Sequence, residues 1–150
     1  MIKGIGLLML TLLSTSLFAQ IENPVTWFSM SRKKSDKVYE VVLSASLKKP
    51  WHIYSQHTAD GGPLPTKITF AANPLIQLAG QAVENGSLET IHDEGFNVEV
   101  KYFADKVEFV QTVKMKGNVR TNVKGKVEYM VCNDGKCLPP AKYPFDIKIQ

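Results

Sequence analysis

The chain has 150 residues, with 18 Lys and Arg against 14 Asp and Glu and a formal net charge of +4. That length holds one domain with a sizeable core and is too short for two. The basic excess is spread along the chain with no basic-aromatic cluster, which excludes nucleic acid as an ordinary partner and leaves solubility or mild attraction to acidic surfaces.

Residues 1–19 place Lys3 ahead of an apolar run and finish on Ala19 before a polar stretch, the layout of a secretory signal peptide. The run from Ile5 to Leu13 falls short of the about 20 apolar residues a membrane helix needs and soon gives way to Ser14, Thr15 and Ser16. No cysteine follows it to carry a lipid. The expectation is an exported protein, periplasmic or in a similar compartment and soluble after cleavage, with one domain over residues 20–150. Export places both cysteines, Cys132 and Cys137, where a disulfide persists, and their even number leaves no spare thiol.

The mature chain reads as strands. Residues 25–30 form a first short candidate. In residues 37–47, Tyr39, Val41, Leu43, Ala45 and Leu47 fall on one face, with Glu40, Ser44 and Ser46 on the other. Short candidates follow at 51–54, 67–70, 76–79 and 98–103. From Lys106, the side chains Val107, Phe109, Val113 and Met115 oppose Lys106, Glu108, Thr112 and Lys114. Residues 123–131 alternate too, with Val127, Tyr129 and Val131 against Lys126, Glu128 and Met130. At the end, Tyr143, Phe145, Ile147 and Ile149 alternate with Asp146 and Lys148. Turn signals such as Gly61-Gly62-Pro63, Asn85-Gly86 and Gly117-Asn118 separate these runs, and no helical stripe of useful length intervenes. The expected class is all-β: an immunoglobulin-like antiparallel β-sandwich, with a small barrel as the other option.

The chemistry concentrates in residues 127–141, VEYMVCNDGKCLPPA. A strand runs into Cys132, Asn133-Asp134-Gly135-Lys136 supply turn chemistry, and Cys137 begins the return. Closed as a hairpin, this segment faces the cysteines across a strand pair with Cα atoms about 4.5 to 5.5 Å apart, within disulfide range. As a staple the bond is weak: closing about six residues stabilises by on the order of 2 kcal/mol. Accessible disulfides are also the labile ones. Leu138-Pro139-Pro140 cannot continue a central strand, which puts the pair at an edge or rim. Spacing by itself leaves a structural staple and a redox centre both open.

The run GKVEYMVCNDGKCLPP, with KKPWHIYSQ and IHDEGFNVEVKYF upstream, resembles the amino-terminal periplasmic domains of the DsbD family of thiol:disulfide interchange proteins. The resemblance covers nearly the whole mature chain and implies an immunoglobulin-like domain. Such a domain takes electrons from a thioredoxin-like donor, fed in turn by a membrane electron-transfer protein. It passes them to disulfide isomerases or cytochrome-maturation thiol proteins. It makes Cys137 the sulfur that forms mixed disulfides and Cys132 the resolving sulfur. It places Asp93, Glu94 and Phe96 in a cap or proton relay over the disulfide, and Tyr54 and His52 along the active-site lining. Neither metal nor organic cofactor is implied. The sequence departs from the family pattern at Gly95, which separates the acidic pair from Phe96, and in a hairpin one residue shorter. It stops at Gln150 without the membrane and thioredoxin-like domains that usually follow, so the expected donor is a separate protein unless the chain belongs to a longer product.

Blander readings stand beside these. Asp93 and Glu94 also fit a solvated acidic turn, and Phe96 an ordinary core position. His52, His57 and His92 together with the cysteines raise a metal site, but their separations lack a compact ligand motif. Trp27 and Trp51 read as core or rim aromatics. The competing function is a noncatalytic immunoglobulin-like binding module with a structural disulfide.

Overall fold

The computed structural model describes residues 22–149. The expected signal peptide, residues 1–19, lies outside the described residues. Every element among them is a strand, and every pairing is antiparallel.

The chain opens with β1 (Val25–Ser35) and β2 (Val38–Leu47), then makes the short β3 (His52–Tyr54) and β4 (Lys67–Phe70). After β5 (Ile76–Gly86) come β6 (Glu89–Asp93), β7 (Val98–Phe103) and β8 (Lys106–Met115). It closes with β9 (Thr121–Tyr129), the two-residue β10 (Val131–Cys132) and β11 (Ala141–Ile149). The strands form three sheets, in the orders β1-β2-β8-β5, β10-β3-β7-β6 and β11-β9-β4.

One apolar core draws on all three sheets. The first sheet supplies Val41, Leu43, Phe109 and Val113, the second Ile53, Phe103 and Val131, and the third Val123, Val127, Phe145 and Ile147. The first sheet thus lies against the other two as an immunoglobulin-like sandwich. Burying each such side chain stabilises by about 1.5 to 3 kcal/mol. The alternation expected for β2 holds on the core face, but Val42 and Ser44 on its outer face are buried as well. In β8 the core-facing series includes Gln111, whose amide donates to the carbonyls of Ala79, Gly80 and Thr112. Those first two carbonyls sit where β5 bulges between Ala79 and Val83, so a polar side chain fills a core position by satisfying a distorted strand.

Sequence and structure also differ in where strands end and pair. The alternation of residues 123–131 is continuous, yet the chain changes sheets at Met130, passing from the pairing with β11 and β4 to the pairing with β3. Asn85-Gly86 still belongs to β5, and the turn comes one step later. β6 was not foreseen, because its sequence ETIHD is polar and exposed. At Gly125 on β9 a side chain is excluded: a Cβ would overlap the Thr69 carbonyl and lie 2.5 Å from the Phe145 ring.

Candidate functional site

The hairpin after β10 forms because Asn133 organises it. Its side-chain oxygen accepts from the amides of Gly135 and Lys136, each at 2.9 Å, and its own amide donates to the Lys136 carbonyl. This sets Cys137 opposite Cys132 as an antiparallel bridge, and Leu138 N then donates to Val131 O. Pro139 and Pro140 end the pairing, after which the chain joins the third sheet as β11. Cys132 and Cys137 are joined by a disulfide with Cα atoms 4.0 Å apart, closer than the spacing expected for an ordinary strand pair.

The two sulfurs have different surroundings. Cys132 is 2% exposed and packs with Tyr54 and Val100, whereas Cys137 is exposed on the outer side of the edge strand β10. The neighbouring Lys136 pairs with Glu22 and lies 5.7 Å over the Trp51 ring, which holds the hairpin tip toward the start of the domain. Both charges of that pair are exposed, so it contributes at most about 1 kcal/mol.

Strand register assembles the wall beside Cys132. His52 stands opposite Cys132, Tyr54 opposite Tyr102, and Tyr102 opposite Glu89. Paired residues share a face, so Cys132, His52, Tyr54, Tyr102 and Glu89 line one surface of the second sheet, away from the main core. The His52 ring contacts Tyr102 at 4.6 Å and Tyr54 at 5.3 Å, and His52 Nε2 lies 3.2 Å from the Tyr54 hydroxyl. Tyr102 donates its hydroxyl to Glu89 at 2.9 Å.

The loop between β3 and β4 crosses part of this surface. Gly62 lies so near β7 that an added Cβ would come within 2.9 Å of Val98. Glu84 on β5 anchors the start of the loop, accepting from Ser55 Oγ at 2.7 Å and Gln56 N at 2.6 Å, while Thr58 Oγ1 accepts from Lys101 N.

Burial dominates the electrostatics here. It lowers the pKa of His52 from its usual value, against the opposing pull of Asp134 and Glu89. It pushes Tyr54 up to about 12, with Asp93 and Tyr102 adding to the effect, so Tyr54 stays a phenol at neutral pH. Tyr102 is raised by burial and by its bond to Glu89.

Of the residues singled out in the sequence, Cys132, Cys137, His52 and Tyr54 come together. Asp93 shares their face at the far end of β6, where its carboxylate accepts from the amides of Gly95 and Phe96 and shapes the turn. Glu94 is exposed, and Phe96 is 48% exposed rather than a core side chain. His92 points to the opposite face from His52, because it sits one residue out of phase with Glu89, Ile91 and Asp93. Tyr102, Glu89 and Asp134 were missed: strand register brings Tyr102 and Glu89 to the His52 side of the sheet, and the hairpin tip brings the charge of Asp134 to bear on the ring.

An immunoglobulin-like sandwich with a disulfide hairpin on a sheet edge, one sulfur open and one enclosed, is the class of domain that fold and site define. The family described as thiol:disulfide interchange protein DsbD, N-terminal, matches residues 19–148, and the chain belongs to that family. No curated protein sequence matches the chain. Among solved structures, it is similar to the N-terminal periplasmic domain of ScsB from Proteus mirabilis, with 16% identity and a TM-score of 0.55. That match covers 81% of this chain and only 44% of the ScsB chain. It is also similar to the reduced DsbD N-terminal domain of Neisseria meningitidis, at 19% identity and a TM-score of 0.51, over 71% of this chain and 74% of that one. A third similarity is to the complex between the DsbD and PilB N-terminal domains of the same organism, at 16% identity and a TM-score of 0.54, over 85% and 87% of the two chains. At these identities the likenesses establish the fold. No helix among the described residues is long and apolar enough to cross a membrane.

Proposed function

We propose that the protein is an exported thiol–disulfide exchange module that relays electron pairs in the periplasm, with residues 1–19 as its export signal. A thioredoxin-like donor thiolate attacks Cys137, Cys132 leaves, and the second donor thiol then releases the donor as a disulfide. The module is left as a dithiol carrying two electrons and two protons. In the second half, Cys137 attacks an oxidised client, a disulfide isomerase or a cytochrome-maturation thiol protein, and Cys132 resolves the mixed disulfide. The donor is itself reduced by a membrane electron-transfer protein. His52 and Tyr54 line the site, and Asp93, Glu94 and Phe96 form its cap.

The observation that carries this reading is the asymmetry of the bridge: Cys137 is exposed at an open sheet edge while Cys132 is enclosed. Attack from outside reaches Cys137 far more readily than Cys132, which supports the proposed order of events. The test is Cys132→Ser, mixed with an oxidised thioredoxin-like protein and resolved without reductant. A stable mixed disulfide through Cys137 is expected. Its absence with every thioredoxin-like partner tried would return the bridge to a structural role.

A further inference from the structure

We propose that His52 is the acid–base group of Cys132, taking its thiol proton when Cys132 attacks a mixed disulfide and returning it when Cys132 departs. This rests on the exchange reading above and assigns its proton path.

The need for such a group follows from burial. Cys132 sits in an apolar cluster with Tyr54 and Val100. A bare thiolate there is unfavourable, so the sulfur must exchange its proton as the S–S bond forms or breaks. His52 is its cross-strand partner, and directly opposed residues on one face have Cβ atoms about 4.5 to 5.5 Å apart.

Most other groups facing this pocket have partners of their own or titrate far from neutrality. On β3, the Tyr54 phenol is too weak an acid at about 12 to serve near neutrality. On β7, Tyr102 gives its hydroxyl to Glu89 of β6. Asp93, also on β6, spends one carboxylate oxygen on the amides of Gly95 and Phe96. From the hairpin, Asp134 acts on the imidazole through its charge, and Lys136 is turned toward Glu22 and Trp51. The imidazole is left as the group that changes charge near neutral pH. Burial keeps it neutral there, the form a base requires. In the tautomer whose Nε2–H donates to the Tyr54 oxygen, 3.2 Å away, Nδ1 carries the lone pair that accepts the thiol proton.

The step balances without another reagent. The Cys132 thiol loses its proton to Nδ1, its sulfur bonds to Cys137 Sγ, and the client sulfur departs with the electron pair. The imidazolium then gives its proton to that thiolate or to water.

The experiment uses the full mature chain, reduced, with oxidised glutathione as the oxidant from pH 5 to 8. Acid quenching and mass spectrometry follow the glutathione adduct at Cys137 and its resolution by Cys132. In the unaltered protein, resolution accelerates as pH rises through a titration below 6.5 and then levels off. In His52→Gln that titration disappears, and resolution at pH 7 slows on the order of 100-fold relative to adduct formation at Cys137 in the same variant. Should the amide variant fail to fold, His52→Phe keeps a ring against Tyr102 and is read the same way. An unchanged profile in either folded variant overturns the role of His52 and leaves the exchange reading standing. No adduct at Cys137 in the unaltered protein contradicts the exchange reading itself.

Discussion

Cys137 is open to solvent while Cys132, its disulfide partner, is shut into the cluster with Tyr54 and Val100. Once the bridge is reduced, the two thiols therefore differ in access. Iodoacetamide should label Cys137 at least about 10-fold faster than Cys132, in keeping with the control of thiol reactivity by exposure and thiolate content. Peptide mapping after brief labelling reads the ratio. Equal labelling would mean that reduction opens the hairpin.

Phe96 tests the cap. Its ring is 48% exposed and contributes little to the core, so Phe96→Ala should change stability by less than about 0.5 kcal/mol. If the ring swings over the sulfurs, the same change should speed reduction of the disulfide by dithiothreitol several-fold. An unaltered rate would remove Phe96 from the site.

Glu84 tests the loop that crosses the site face. It accepts from Ser55 Oγ and Gln56 N, and Ser55 is fully buried. Hydrogen bonds to a charged group contribute about 1.5 to 3 kcal/mol, so Glu84→Ala should cost about 2 to 3 kcal/mol in a urea melt. The bonded ends of β1 and β2 lie elsewhere and should keep their amide protection, while Ser55 and Thr58 lose theirs.

His52 carries a pH dependence of stability. Its folded pKa lies below the usual 6.5 because burial disfavours the imidazolium. As pH falls through 6.5 the unfolded chain takes up the proton first, so stability declines from there down to the folded pKa and is unaffected by this group above 6.5. Replacing His52 by Gln should remove that part of the acid slope. Denaturant melts at pH 7.5 and pH 5 for both proteins measure it, and identical slopes would place the imidazole in solvent.

Much of the fold is written in period two. Tyr39 to Leu47, Val107 to Met115 and Tyr143 to Ile149 announce their strands because one face of each meets the core. Gln111 broke the pattern, since its amide satisfies the bulged carbonyls of Ala79 and Gly80, a partnership no local signal reveals. The sheet change at Met130 was hidden for the opposite reason: alternation runs on unbroken through Val131. The cysteines, His52 and Tyr54 were legible from local chemistry and family likeness. Tyr102 and Glu89 were not, because they reach the His52 ring only through the pairing of β3 with the remote β6–β7 hairpin.

The most direct test is the reduction potential of the Cys132–Cys137 couple, measured by equilibration with glutathione buffers and with thioredoxin. A relay must exchange electrons with thioredoxin-like proteins, so its potential should fall between about −270 and −180 mV, the span of thioredoxin and protein disulfide isomerase. A value below about −300 mV, the range of structural disulfides, would contradict the account.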